Sequence, residues 1–400
     1  MKAFDALVVG GGPAGATAAL ALARAGLSVA VVEKAVFPRR KVCGEFISAT
    51  TWPLLRRLGV ARRLLAMAGP PVRRVGFYAA DSIVHAPMPA PDDADAWGRA
   101  LGRESLDHEL LDAAARTGAR VWQPFAVESC RDDGALWRVA LSGRKAAAQL
   151  RARIVVAAHG SWERGASLAT QVRRAPARAS DLLGFKAHFR DARLPAESMP
   201  LVLFPGGYGG MVASDAGRTS FSCCIRRDAL RECRAARPAL GAGEAVLAHA
   251  KASCRGLREA LEGASRDGPW LSAGPIQPGI RSPARGRTFV AGNAAGEAHP
   301  LVAEGLSMAI QSGWLLADEV VSAGDLSERA LAVACAGYAR AWRGQFAARV
   351  RASSAFAQLA LASPATRAGG ALMARVPALL TWGARRSGKA LALRSLEAFP

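Results

Sequence analysis

The chain has 400 residues, 51% of them apolar, and a formal charge of +21 from 53 basic and 32 acidic side chains. That length allows one large or two medium domains, and the apolar share supports a sizeable core, which excludes a disordered chain. Seven cysteines without a C-x-x-C pair exclude a disulfide scaffold, a zinc ribbon and a thioredoxin-like redox pair, and no metal-ligand set is expected. The basic excess is almost all arginine, 46 against seven lysines. Alone it fits nucleic acid, a membrane surface, an acidic ligand or a solvated face. No nucleic-acid recognition motif supports the first. The opening apolar run reaches glycines by Gly10, which leaves no room for a signal peptide, and no uncharged run reaches the ~18 residues that span a bilayer. A cytoplasmic, reducing compartment is therefore expected.

Ala6–Val9 reads as a short strand buried on both faces. It runs into Gly10-Gly11-Gly12-Pro13-Ala14-Gly15, a G-x-G-x-x-G pattern. Residues 16–25 predict a helix that Gly26 stops, and Leu27–Val32 a second strand with Glu33 at its end. Gly10 permits the tight turn, Gly12 lets backbone approach a pyrophosphate, and Gly15 lets the helix pack on the strand. Phosphates then meet free N–H groups and the positive end of the helix dipole. Glu33, 21 residues after Gly12, is placed to accept from a ribose. This order predicts a dinucleotide site.

Further segments follow in chain order. Arg39-Arg40-Lys41-Val42-Cys43-Gly44-Glu45 comes after the acid. Gly102-Arg103 opens a helix reaching about Ala115. Strands are expected at Val121, Val127, Val139 and Ile154–Ala158, the last leading into His159-Gly160. Thr288–Ala291 predicts a strand entering Gly292-Asn293-Ala294-Ala295, and His299-Pro300 precedes Glu304-Gly305 and a helix from about Leu306.

Together these segments resemble the FAD-dependent oxidoreductases that include aromatic hydroxylases, flavin-dependent halogenases and geranylgeranyl reductases, over about residues 3–320. The resemblance implies FAD, with NAD(P)H as electron donor. It implies that Gly10, Gly12, Pro13, Ala14, Gly15, Glu33 and Lys34 hold the ADP half, with Arg40, Cys43 and Gly44 beyond. It also implies that Arg103, Gly160, Gly292, Asn293 and Ala294 meet the phosphate and ribityl region. Glu304, Gly305 and Leu306 bring a helix N-terminus to the flavin ring, where a positive end stabilises the anionic reduced form. Two positions depart from the pattern: Asn293 replaces the usual Asp, and His159-Gly160 replaces Asp-Gly. No second glycine motif occurs, so no separate NAD domain is expected.

Four residues are candidates for chemistry. By the resemblance Cys43 lies near flavin and substrate, as a packing group or a nucleophile. Glu45 either orients substrate and shuttles a proton or pairs with Arg39 or Arg40. Tyr208, on the glycine-rich stretch Leu201–Gly210, either faces substrate or is a turn aromatic. His299 either donates a proton or has a backbone partner at a helix entry. Lys186 alternates on a strand and faces either pocket or solvent. The absence of tryptophan in 201–210 excludes the halogenase motif, and of the reductases' tyrosine–tryptophan motif only Phe204-Pro205 remains.

The expected fold is α/β: a Rossmann-like FAD-binding domain over 1–75, 99–175 and 273–336, a mixed β-sheet substrate-binding domain over 76–98 and 176–272, and a basic helical C-terminal region over 337–400. The substrate domain should carry strands near 183–189, 201–204, 211–213 and 219–225, then helical 228–262. The tail has ten Arg or Lys against one acid. It serves as a lid on the core, or contacts the inner face of a membrane or an acyl carrier. The expected function is hydroxylation of an apolar aromatic or polyketide-like small molecule by an NAD(P)H-consuming monooxygenase. The alternatives are a geranylgeranyl-reductase-like reduction of carbon–carbon double bonds and a non-catalytic flavin-binding module.

Overall fold

A computed structural model of the chain describes residues 3–93, 96–134, 136–144, 146–161, 176–285, 287–361, 372–373 and 375–389. Within the basic tail, 362–371, 374 and 390–400 lie outside the described residues.

The strand Phe4–Val9 runs parallel to Val29–Val32 on one side and to Ala147–Ala157 on the other. Thr288–Val290 continues the parallel sheet beyond Ala147–Ala157, and Arg120–Trp122 beyond Val29–Val32. An antiparallel hairpin, Phe125–Asp132 with Trp137–Gly143, joins through Ala147–Ala157. Ala6–Val9 is fully shielded, as parallel strands covered on both faces must be. The first helix spans Pro13–Arg24 and so begins three residues before the expected start. Proline suits that first turn, because its missing N–H has no partner there anyway. This helix packs between Arg103–Arg116 and Gly305–Ser322 over the sheet.

A second, seven-stranded sheet lies in the order 265–276, 182–190, 219–226, 207–213, 198–204, 74–79, 82–87. Its neighbours are antiparallel except Ser198–Phe204 with Arg74–Ala79, which is parallel. Side chains alternate across a strand. Phe185, Ala187 and Phe189 therefore face a core built with helices Ala242–Ser253 and Arg255–Ala260. Lys186 and His188 point to the other side. The expected helical stretch 228–262 is broken into Arg227–Ala236, Ala242–Ser253 and Arg255–Ala260, with Pro238 and Gly241 between the first two.

Two expected borders move. The edge at 272 falls inside the strand Ser265–Ile276, which pairs with Leu182–Arg190. The edge at 337 falls inside one helix, Glu328–Leu361. Tyr338, Trp342 and Phe346 of that helix are buried in the core of the first domain, and the Tyr338 hydroxyl donates to the Val290 carbonyl at 2.8 Å. The beginning of the expected tail is thus part of the dinucleotide domain. The following short helix, Ala378–Ala384, lies against the strands Arg74–Ala79 and Ser82–Pro87, with Thr381 Oγ1 donating to the Pro87 carbonyl at 2.7 Å. Among the described residues no helix is long and apolar enough to cross a membrane.

Candidate active site

A cavity of about 1190 Å³ runs from the glycine turn to the second sheet. That exceeds the 300–1,000 Å³ typical of a single small-molecule pocket. At one end stand Gly10, Gly12, Pro13, Ala14 and Glu33, with exposed Lys34 at the rim. Gly10 has φ +105°, and a Cβ there would sit 2.6 Å from the Ala158 carbonyl oxygen. Gly15 does not line the cavity; a Cβ on it would overlap the Gly10 carbonyl oxygen, so it serves close packing of helix on turn. The buried Glu33 carboxylate accepts the Gly11 and Ala35 N–H groups, each at 2.8 Å.

Three cations converge beside this cradle: Arg39, Lys41 and Arg103. Arg103 is 7% exposed and holds Asp107 through two 2.7 Å hydrogen bonds, which fixes its guanidinium near Gly12. Burial, helped by the Arg103 and Arg39 charges, pushes Lys41 down to about 8. Crowding of like charges in a buried cleft suits an anionic ligand. Arg40, an expected cofactor contact, instead pairs with Glu104 of the helix Arg103–Arg116 and with Asp267 of the second sheet, and bonds the Asp267 carbonyl. Lys41, its neighbour, takes the cavity position.

Gly160, Gly292, Asn293, Gly305 and Leu306 line the middle of the cavity. Ala294 does not; it packs in the core. Glu304 is buried behind the start of the helix Gly305–Ser322, beside Arg349. Asn293 donates from Nδ2 to Ser161 Oγ and to Glu297 Oε1, both at 3.1 Å. Glu297, which sequence reasoning did not single out, also lines the cavity. Its signal was an acid inside the apolar stretch Ala294–Ala298, four residues after the departure at Asn293.

Cys43, Gly44 and Glu45 line the cavity where the two sheets meet. Glu45 has φ +64° and is 1% exposed. Its expected partners Arg39 and Arg40 are elsewhere. Its Oε1 takes the Lys186 ammonium and, at 3.2 Å, the Arg103 N–H; its Oε2 takes His188 Nε2 at 2.8 Å and Ser214 Oγ at 3.4 Å. Burial alone would raise this carboxyl, but His188 and Lys186 outweigh it and hold Glu45 well below the usual carboxylate range. The two readings of Lys186 resolve to a third: it is buried and paired. His188 and Ser214 went unrecognised because they lie 143 and 169 residues from Glu45.

Tyr208 sits not in a turn but in the strand Gly207–Ala213, lining the cavity. Its hydroxyl meets His299 Nδ1 at 2.9 Å. Burial pushes His299 down to about 4, so the imidazole is neutral, and burial also drives the Tyr208 phenol up. The His299 backbone N–H donates to Ser353 Oγ at 2.9 Å, while its ring meets the Tyr208 hydroxyl where a backbone partner was expected. Beyond Tyr208 the walls are apolar, formed by Phe77, Leu201, Leu203 and Met211 of the sheet and by Met373 and Leu380 of the tail.

A glycine cradle at a helix N-terminus, a backbone-held carboxylate and three converging cations fit the diphosphate and ribose of a dinucleotide. The FAD binding domain model matches residues 3–325. A menaquinone reductase of Mycolicibacterium smegmatis is 39% identical over 117 residues, 29% of this chain and 28% of that protein. Digeranylgeranylglycerophospholipid reductase 1 of Methanopyrus kandleri is 33% identical over 162 residues, 39% of this chain and 40% of that protein. The matched stretches thus span well under half of these relatives. Among solved structures, a flavin-dependent brominase superposes with a TM-score of 0.75 at 17% identity, covering 100% of this chain and 95% of that one. A probable FAD-dependent monooxygenase of Pseudomonas aeruginosa gives 0.72 at 22% identity, covering 92% and 99%. At such identities these two show the fold. The chain belongs to the FAD binding domain family.

Proposed function

We propose that the chain is an NAD(P)H-consuming monooxygenase acting on an apolar aromatic or polyketide-like small molecule. The observation that carries this reading is the cavity's division into a polar end lined by Gly12, Glu33, Lys41 and Arg103 and an end walled by Phe77, Leu201, Leu203 and Met211. Glu45 is paired with Lys186 and His188, and the Tyr208 hydroxyl is hydrogen-bonded to His299 Nδ1. Bound FAD supplies two-electron reduction and the activation of O₂. The protein's own part is placement. The turn at Gly10 and Gly12 and the helix Pro13–Arg24 receive the diphosphate, Glu33 the ribose, and Arg103, clamped by Asp107, the charge between them. The helix Gly305–Ser322 points its N-terminus into the cavity, where a reduced flavin carries negative charge. Apolar walls exclude water that would divert activated oxygen.

A second reading, reduction of a carbon–carbon double bond in a lipid or isoprenoid, is favoured by Cys43. Its thiol lines the cavity, and the local relatives are named as reductases. The two readings part on Cys43→Ala with candidate apolar substrates. Monooxygenation keeps substrate-stimulated NAD(P)H oxidation and O₂ uptake in that variant. Loss of turnover in the variant, together with activity of the wild type without O₂, supports reduction instead.

The tail supports a partner as well. Leu372, Val376 and Trp382 are exposed beside Arg375, Arg385 and Arg386, and Trp382 lines the cavity mouth. An apolar rim set among arginines suits an anionic bilayer from which an apolar substrate is drawn. Co-sedimentation with anionic vesicles, lost in Trp382→Ala with Arg385→Glu and Arg386→Glu, is the expected result. Equal pelleting of the variant refutes it.

A further inference from the structure

Glu297 stands out because it lines the same cavity as Asn293, Gly160 and Lys41 and was given no role by the sequence. It follows the 3₁₀ turn Gly292–Ala294 and is held in a two-residue strand, Gly296–Glu297, paired with Gly279–Ile280. The residue is 8% exposed, yet it lines the cavity. One carboxyl oxygen, Oε1, accepts from Asn293. The other, Oε2, is buried with no hydrogen-bond partner, 3.9 Å from Arg281. Arg281 cannot close that gap cheaply, since its guanidinium already bonds the Asn293 and Gln277 carbonyls. A buried carboxyl oxygen without a partner carries its full desolvation penalty until a ligand satisfies it.

We propose that Glu297 is an FAD-binding residue whose carboxylic acid form donates a hydrogen bond to the diphosphate–ribityl segment, so that the protein takes up a proton when it binds the cofactor. The charges facing Glu297 are Arg281 and Lys41, with the Ser161 hydroxyl beside it and the Cys224 thiol within electrostatic reach. Burial pushes its carboxyl up to about 7, while Arg281, Ser161 and Lys41 pull the other way. A diphosphate adds negative charge to the same cleft and engages Lys41, Arg39 and Arg103. It thereby removes part of what holds the carboxylate ionised and drives the acid form further up. The Asn293 departure fits this arrangement. The amide donates to Glu297, which a carboxylate at that position does not do.

The sign of the linkage follows. A group whose affinity for protons rises on binding makes binding tight below its free value and weaker as pH climbs past it. FAD affinity is therefore level below about pH 7 and falls above it, by up to about tenfold per pH unit. Lys41, at about 8 in the free protein, titrates in the same direction. Lys41→Arg keeps a permanent charge there and isolates Glu297.

The experiment dilutes purified holoenzyme to nanomolar concentration from pH 6 to 8.5 and reads released FAD by its fluorescence. In Lys41→Arg, release rises above pH 7. In Lys41→Arg with Glu297→Gln, whose amide mimics the acid, affinity stays within about threefold of the pH 6 value across the range. Circular dichroism of each holo form checks the fold, and Glu297→Asp gives a second variant that retains the proton. An unchanged pH profile in Glu297→Gln overturns the proposal. So does affinity that rises with pH and is lost in Glu297→Gln, since that outcome makes Glu297 an ionised acceptor.

Discussion

Lys186→Met tests the charge cluster that joins the two sheets. Lys186 and Glu45 are each 1% exposed, and among the described residues Lys186 supplies the only ammonium on that carboxylate. Removing one partner of a buried ion pair costs ~3–5 kcal/mol, because the other charge stays behind. Here His188 Nε2, the Arg103 N–H and Ser214 Oγ remain on Glu45, which sets the cost at the low end, about 3 kcal/mol. An unfolding entropy of ~2.1 cal/mol/K per residue over 400 residues turns that into a Tm lower by roughly 4 °C. The acid limb moves as well. Glu45 is held below its ordinary value of 4.5, so its contribution is full above that pH and is lost as pH falls through the lower folded value. Without Lys186 the folded value rises, so the loss is smaller and is complete at a higher pH. The assay is thermal unfolding of the holoenzyme by circular dichroism, with Glu45→Gln and the double variant completing a cycle. The double variant should recover more than half of the summed losses. Additive losses refute the pairing as the source of the effect.

Three further outcomes follow from the same geometry. Gly15→Ala places a methyl on the Gly10 carbonyl oxygen, so it should cost about 1–3 kcal/mol and leave purified protein with less than a third of the wild-type FAD absorbance per chain; full flavin content refutes the packing role. Glu33→Ala with Arg103→Ala should abolish bound flavin while the far-ultraviolet spectrum is kept, and an unchanged FAD content would misplace the site. His299, neutral with a value near 4 against 6.5, contributes stability above pH 6.5 that is lost as pH falls toward 4, ~3 kcal/mol in all; His299→Phe should flatten that limb of a urea-unfolding series, and an unchanged slope rejects it.

Much of the cofactor end was legible because its chemistry demands particular residues at particular spacings. Glycines at 10, 12 and 15 and an acid at 33 are local requirements of one turn, and the structure satisfies each within a few residues. The substrate end was legible only as a set of parts. Tyr208 and His299 were each named, but their contact spans 91 residues, and no local pattern encodes it. The Glu45 cluster likewise draws on a strand 143 residues away. The strand Ser265–Ile276 went unexpected because Gly268, Pro269, Gly274 and Pro275 disguise it. Its place at the sheet edge is where such residues are tolerated. The expected break at 337 failed because a change in charge was read as a change in structure. The arginines there lie along the same helix whose Tyr338, Trp342 and Phe346 complete the core.

The central claim concerns what happens at the apolar end of the cavity, and isotope labelling addresses it most directly. Holoenzyme is reduced anaerobically with NAD(P)H, an apolar phenolic or polyketide-like substrate is added, and ¹⁸O₂ is admitted. Monooxygenation places one ¹⁸O atom in the product, with none formed before oxygen enters. Product formed without O₂, two hydrogens heavier and free of label, contradicts it.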